Sequence, residues 1–106
     1  MSKPKYGWWG YVKDICRRWP ELAAAHESRV ERREYEAVRA ALADNPPERV
    51  QLLRRCLLGG PETLQRASES EGVSFATGKE WQKEFILDVA AHWGLLDGCN
   101  HSARKN

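Results

Sequence analysis

Apolar residues recur along this chain at intervals of three and four. Trp8, Tyr11 or Val12, Ile15 and Trp19 form the first stripe, the spacing of an amphipathic helix over about residues 8–19. Lys13, Arg17 and Arg18 lie largely away from it, and Pro20 either ends that helix or opens the next as its first residue. A second helical stretch is predicted from Pro20 to about Leu42. Its middle, HESRVERREYE, is mostly charged and suits a solvated helix or a linker between two packing units. Apolar spacing resumes at Tyr35, Val38 and Leu42, and Asp44-Asn45-Pro46-Pro47 then breaks the chain. The third predicted helix, about Pro47 to Leu58, presents Val50, Leu53 and Leu57 with Leu52 and Cys56 beside them, and Gly59-Gly60 stops it.

Two further helices complete the pattern. A short one is predicted from Pro61 to Ser70, with Pro61 at its first position and Glu62 near the positive end of its dipole. Glu71-Gly72-Val73 makes a turn. Ser74 is the N-cap expected for a last helix, about Phe75 to Trp93. Trp81, Phe85, Val89 and Trp93 step by four along that helix, with Ile86 and Ala90 widening the stripe, and Gly94 is its C-cap. Leu95 and Leu96 are expected to fold back on the last turn, and residues 97–106 to form a polar tail.

No alternating run of β-branched and aromatic residues occurs, and alanine, leucine, glutamate and arginine dominate. The expected fold class is therefore all-α, with four to five helices. The 106 residues suit a single domain. Within it the pattern separates a tryptophan-rich head helix (6–22), a polar helix or linker (23–34), a helical core (35–96) and the tail. A short helix, a glycine-containing turn and a longer helix, read over Thr63 to Phe85, is the layout of a helix-turn-helix unit. In it Gly72 takes positive φ, Val73 fills the space between the helices, and Ala67 and Ser68 allow close approach. Thr77 and Gly78 face the first helix of the pair, and Phe75, Ala76, Lys79, Glu80 and Lys83 form the outward face that would enter a DNA major groove.

Composition narrows the function further. The net charge of +2 is too balanced to imply nucleic acid by itself. Eleven of the 17 basic residues are arginine, whose fork suits phosphate and carboxylate. Arg49, Arg54, Arg55 and Arg66 are candidates to grip phosphates beside the reading helix, with solvated helix faces as the competing account. The three cysteines, Cys16, Cys56 and Cys99, are odd in number and widely spaced, which suits reduced cytosolic thiols. Cys99-x-His101 with His92 lacks a paired CxxC, and Gly59-Gly60 lacks the surroundings of a phosphate loop. No metal, cofactor or catalytic residue is expected, nor a membrane span, for want of ~20 consecutive apolar residues.

The block Tyr6-Gly7-Trp8-Trp9-Gly10-Tyr11-Val12, then Arg17-Arg18-Trp19-Pro20-Glu21-Leu22, then Arg33-Glu34-Tyr35-Glu36-Ala37-Val38, resembles a group of small proteins of Gram-positive phages and prophages. That group is similar to the ArpU/RinA-type phage transcriptional regulators. The resemblance runs nearly to Leu96. It implies a helix-turn-helix similar to sigma-factor region four and double-stranded DNA as partner, in the cytoplasm of a bacterial host. The DNA-binding residues expected on this reading are Phe75, Ala76, Lys79, Glu80 and Lys83, flanked by Arg54, Arg55 and Arg66.

Some positions depart from the pattern. Glu71 stands where such units bury a leucine. Gly78 stands where they pack alanine or valine, and it weakens a helix by about 1 kcal/mol relative to alanine. The face offers two lysines, Glu80 and Glu84, and no arginine. These features keep a second function open, that of a phage accessory protein that binds and inhibits a host protein such as a nucleic-acid-handling defence enzyme. The head is expected to supply an interface through Trp8, Trp9, Tyr11, Arg17 and Arg18, to a second copy or to that protein. Consecutive tryptophans on a helix diverge by about 100°, which leaves one of Trp8 and Trp9 outside an inward stripe.

Overall fold

A computed structural model describes residues 7–25 and 27–94. Leu95 and Leu96, the tail, Cys99 and His101 lie outside the described residues, as do Tyr6 and His26. The described residues are all-helical: α1 (Trp9–Arg17), α2 (Trp19–Ala24), α3 (Arg29–Ala43), α4 (Pro47–Cys56), α5 (Leu64–Glu71) and α6 (Phe75–Trp93). None of these helices is long and apolar enough to cross a membrane.

Six helices replace the expected four or five because the stretch after Pro20 is not continuous. Pro20 lacks an N–H and its ring clashes with the carbonyl four residues back. α1 therefore closes at Arg18, whose carbonyl accepts from the Glu21 and Leu22 amides at 3.0 Å to start α2. Ala25 and Glu27 lie outside any helix, and α3 opens on Ser28. Its side chain accepts from the Glu31 amide at 3.0 Å while Glu31 Oε1 accepts from the Ser28 amide at 3.3 Å. This reciprocal capping box is written in the sequence as Ser28-x-x-Glu31. It is the signal that the charge run of residues 26–36 concealed. α5 also starts later than predicted. Leu64, not Pro61, is its first residue, and Thr63 is its N-cap, accepting from the Arg66 amide at 3.1 Å. Glu62 turns away from the helix dipole to pair with Arg55.

One core joins all six helices. It contains Val12, Ile15, Cys16, Leu22, Ala37, Val38, Ala41, Leu52, Leu53, Leu57, Leu58, Ala67, Phe85, Ile86, Val89 and Ala90. α6 is its axis, packed by α3, α5, α1 and α4. The head therefore folds onto the rest of the chain. Trp8 and Trp9 are both half-buried against the core and stack on one another with centroids 6.1 Å apart. Neither indole points fully inward: the two share the edge of the core, and each ring lies over the other. Trp81 and Trp93, expected inside, are half-buried at the ends of the α6 stripe. Arg49 covers the first ring and Arg33 the second, at 5.4 and 4.8 Å from the centroids.

The charged α3 segment holds a buried carboxylate. Glu34 is 4% exposed and shares the inward face with Ala37, Val38 and Ala41. Tyr11 donates its hydroxyl to Glu34 at 2.6 Å, and Arg18 lies 3.6 Å from the other carboxylate oxygen while holding Asp14 at 2.8 Å. A buried charge needs such partners. Together they clamp α1 to α3 across the polar stretch that suggested a linker. Desolvation by burial, followed by the hydrogen bond to Glu34, pushes the Tyr11 hydroxyl up to about 12. A group whose folded-state pKa is raised contributes stability below its ordinary value, about 10, and loses it as pH climbs towards the raised one. The stability gap between the wild type and Tyr11→Phe is therefore expected to narrow between about pH 10 and 12. Urea melts across that range check it; a constant gap contradicts the clamp.

Candidate functional site

The N-terminal half of α6 carries an exposed face built on regular structure. Ser74 caps it, accepting from the Thr77 amide at 3.1 Å. Gly72 ends α5 in the left-handed region at φ +74°, where a side chain is disfavoured. The next amide, that of Val73, donates to the Ser68 carbonyl at 3.0 Å. This turn sets α6 against α5, with Ala67 and Ser68 buried between them, Val73 half-buried and Gly78 inward. At Gly78 the two helices leave no room for a side chain. A Cβ there would stand 2.1 Å from Ser68 Oγ, so a serine hydroxyl fills the space that an alanine methyl takes in the expected pattern.

Phe75, Ala76, Lys79, Glu80 and Lys83 are all exposed and, at about 100° per residue, share one side of the helix. That same side carries Ile86 and Ala90 farther along, where it is buried. The stripe is thus covered by the head and α3 in its second half and open in its first. Phe75 is 47% exposed, and the Lys79 ammonium lies 5.5 Å from its ring centroid.

The flanking arginines divide. Arg55 donates to Glu71 at 2.6 Å and to Glu62 at 3.2 Å, so the glutamate in the leucine position has found a partner inside the fold. Arg49 pairs with Glu84 at 2.7 Å. Arg54 is exposed and stands 6.0 Å from the Trp19 ring centroid, on the head side of α4. Arg66 is exposed on α5. The ion pairs remove Arg49 and Arg55 from the set of free phosphate grips, and with them the acidity of Glu71 and Glu84. On α5 and α6, Arg66, Lys79 and Lys83 stand exposed beside Glu69 and Glu80.

The head residues are occupied differently. Tyr11 and Arg18 are bound to Glu34, and Tyr11 also meets the edge of the Trp93 ring at 6.0 Å. Arg17 is exposed and borders a shallow cleft with Cys56, Gly59, Gly60, Pro61 and Glu62. Burial pushes the Cys56 thiol up to about 11 and the Cys16 thiol up to about 12, so neither is a ready nucleophile. Sequence reasoning missed Glu34 because its neighbours are charged. The available signal was its place in the 34, 37, 38, 41 spacing of the α3 inner face. No protein-family model, curated protein or solved structure matches this chain.

Proposed function

We propose that this chain is a DNA-binding regulator that presents the N-terminal half of α6 to a major groove, as the resemblance to phage regulators implies. The observation that carries the reading is the open stripe Phe75, Ala76, Lys79, Glu80 and Lys83. It begins at a capped helix start, directly after a tight turn, and ends where the core begins. A short helix, a turn and a longer helix held close by small residues support the same reading. Replacing Lys79 and Lys83 together with alanine is expected to weaken duplex binding and to flatten its salt dependence by roughly one to two units of log–log slope. Fluorescence anisotropy at several salt concentrations measures this. Unchanged binding by the double variant removes α6 from the mechanism.

A protein partner is the second reading, and the internal pairing of Arg49 and Arg55 favours it. It leaves one aromatic ring and few cations on the open face. A pull-down from host lysate beside a gel shift against phage DNA separates the two. On this reading Phe75→Ala loses the captured protein and no duplex is shifted.

A further inference from the structure

We infer that Phe75 is a sequence-reading residue whose target is the methyl group of a thymine. The inference rests on the DNA reading above and adds the base that the open stripe selects. Among the described residues the large exposed apolar side chains are Tyr11, Val30 and Phe75. The Tyr11 hydroxyl is bound to Glu34, and Val30 lies in the first turn of α3. Phe75 alone stands on the open stripe of α6. It is the first residue of that helix, the part of a reading helix that reaches base edges. Its ring is no gap-filler in the core, which is closed by Phe85, Ile86, Val89 and Ala90 farther along.

The chemistry of the other stripe residues narrows what Phe75 meets. Lys79 and Lys83 bring ammonium groups, Glu80 a carboxylate and Ala76 a methyl. None is a planar arginine, asparagine or glutamine that grips a base by two parallel hydrogen bonds. Apolar contact therefore falls chiefly to the ring, the large apolar surface of the stripe, with the small Ala76 methyl beside it. The apolar feature that base edges present in the major groove is the thymine C5 methyl. Lys79, 5.5 Å from the ring centroid, holds a cation beside the aromatic surface, next to the neighbouring phosphates or guanine edges.

The test starts with duplexes selected from a random pool by the full chain. The selected duplex is then resynthesised with deoxyuridine in place of thymidine, which deletes the methyl and keeps every hydrogen-bonding group. The wild type is expected to bind the deoxyuridine duplex roughly fourfold more weakly, the equivalent of about 0.8 kcal/mol for one buried methyl. Phe75→Ala, at an exposed position, is expected to keep its helical circular-dichroism signal and to bind both duplexes equally. Equal binding of both duplexes by the wild type overturns the thymine assignment and leaves the DNA reading standing. An undiminished thymidine preference in Phe75→Ala overturns it as well, by giving the methyl to another residue. Selection that enriches no duplex overturns the DNA reading itself, a result distinct from either.

Discussion

Phe85→Ala is expected to destabilise the protein by about 3–5 kcal/mol, the range for emptying a buried phenylalanine site. Phe85 is the largest of the fully buried side chains. It lies on α6, the helix that packs against α1, α3, α4 and α5. The loss is at the high end of what one substitution does, because these elements close around α6 and have little freedom to collapse into the space. Domains of this size hold only about 5–15 kcal/mol in total, so the variant is left marginal. The expected readout is a fall in melting temperature of about 12–40 °C, at about 4–8 °C per kcal/mol. Trp81→Ala is a useful contrast. Its ring is half-buried under Arg49, so its loss should cost less than that of Phe85 in the same melts. A Phe85→Ala protein with a near-normal melting temperature would show that α6 is not the axis of the core.

Gly78→Ala tests the α5–α6 contact with two effects of opposite sign. Alanine is the better helix former by about 1 kcal/mol, and on helix propensity alone the substitution stabilises. The tertiary structure reverses the sign. The new methyl would lie 2.1 Å from Ser68 Oγ, and Ser68 is 1% exposed, its hydroxyl donating to the Leu64 carbonyl at 2.9 Å. Either the hydroxyl leaves that carbonyl or the two helices separate. Overpacking of this kind typically costs about 1–3 kcal/mol, so the net expectation is a loss of up to about 2 kcal/mol once the helix-propensity gain is subtracted. Ser68→Ala in the same chain removes the oxygen and leaves the Ser68 Cβ 3.4 Å from the new methyl. The double variant is therefore expected to recover the wild-type denaturation midpoint or pass it. A double-mutant cycle by urea unfolding gives the coupling, and additive losses would mean that the helices do not meet at these residues.

Local physics alone wrote much of this protein into its sequence. Ser74 and Gly94 bound α6 where the pattern places them, because capping depends only on neighbouring backbone amides and on glycine's freedom of φ. Gly72 turns the chain for the same reason. The buried run Phe85, Ile86, Val89 and Ala90 follows from a helical period that needs no partner to be read. The open stripe from Phe75 to Lys83 is not legible in this way: the period puts it on the same side as Ile86 and Ala90, and only the packing of the other helices leaves its first half uncovered.

The tertiary structure decided what depends on residues distant in sequence. Glu34 is buried because Tyr11 and Arg18, from another helix and its end, satisfy it; its place in the α3 spacing marks the inner face, but only the other helix shows how a carboxylate can stay there. Gly78 reads as a weak point in a helix until Ser68 is seen to fill its place. Arg49 and Arg55 look like free cations beside a reading helix, and long-range pairing with Glu84 and Glu71 takes them out of that role. The tryptophan head reads as a surface awaiting a partner because 26–36 is polar. Its Val12, Ile15 and Cys16 join the core, with the tryptophans half-buried at its edge, once the capping box at Ser28 and Glu31 starts α3 and turns Glu34, Ala37, Val38 and Ala41 inward. Periodicity is a property of one helix, whereas charge pairing and helix approach belong to two.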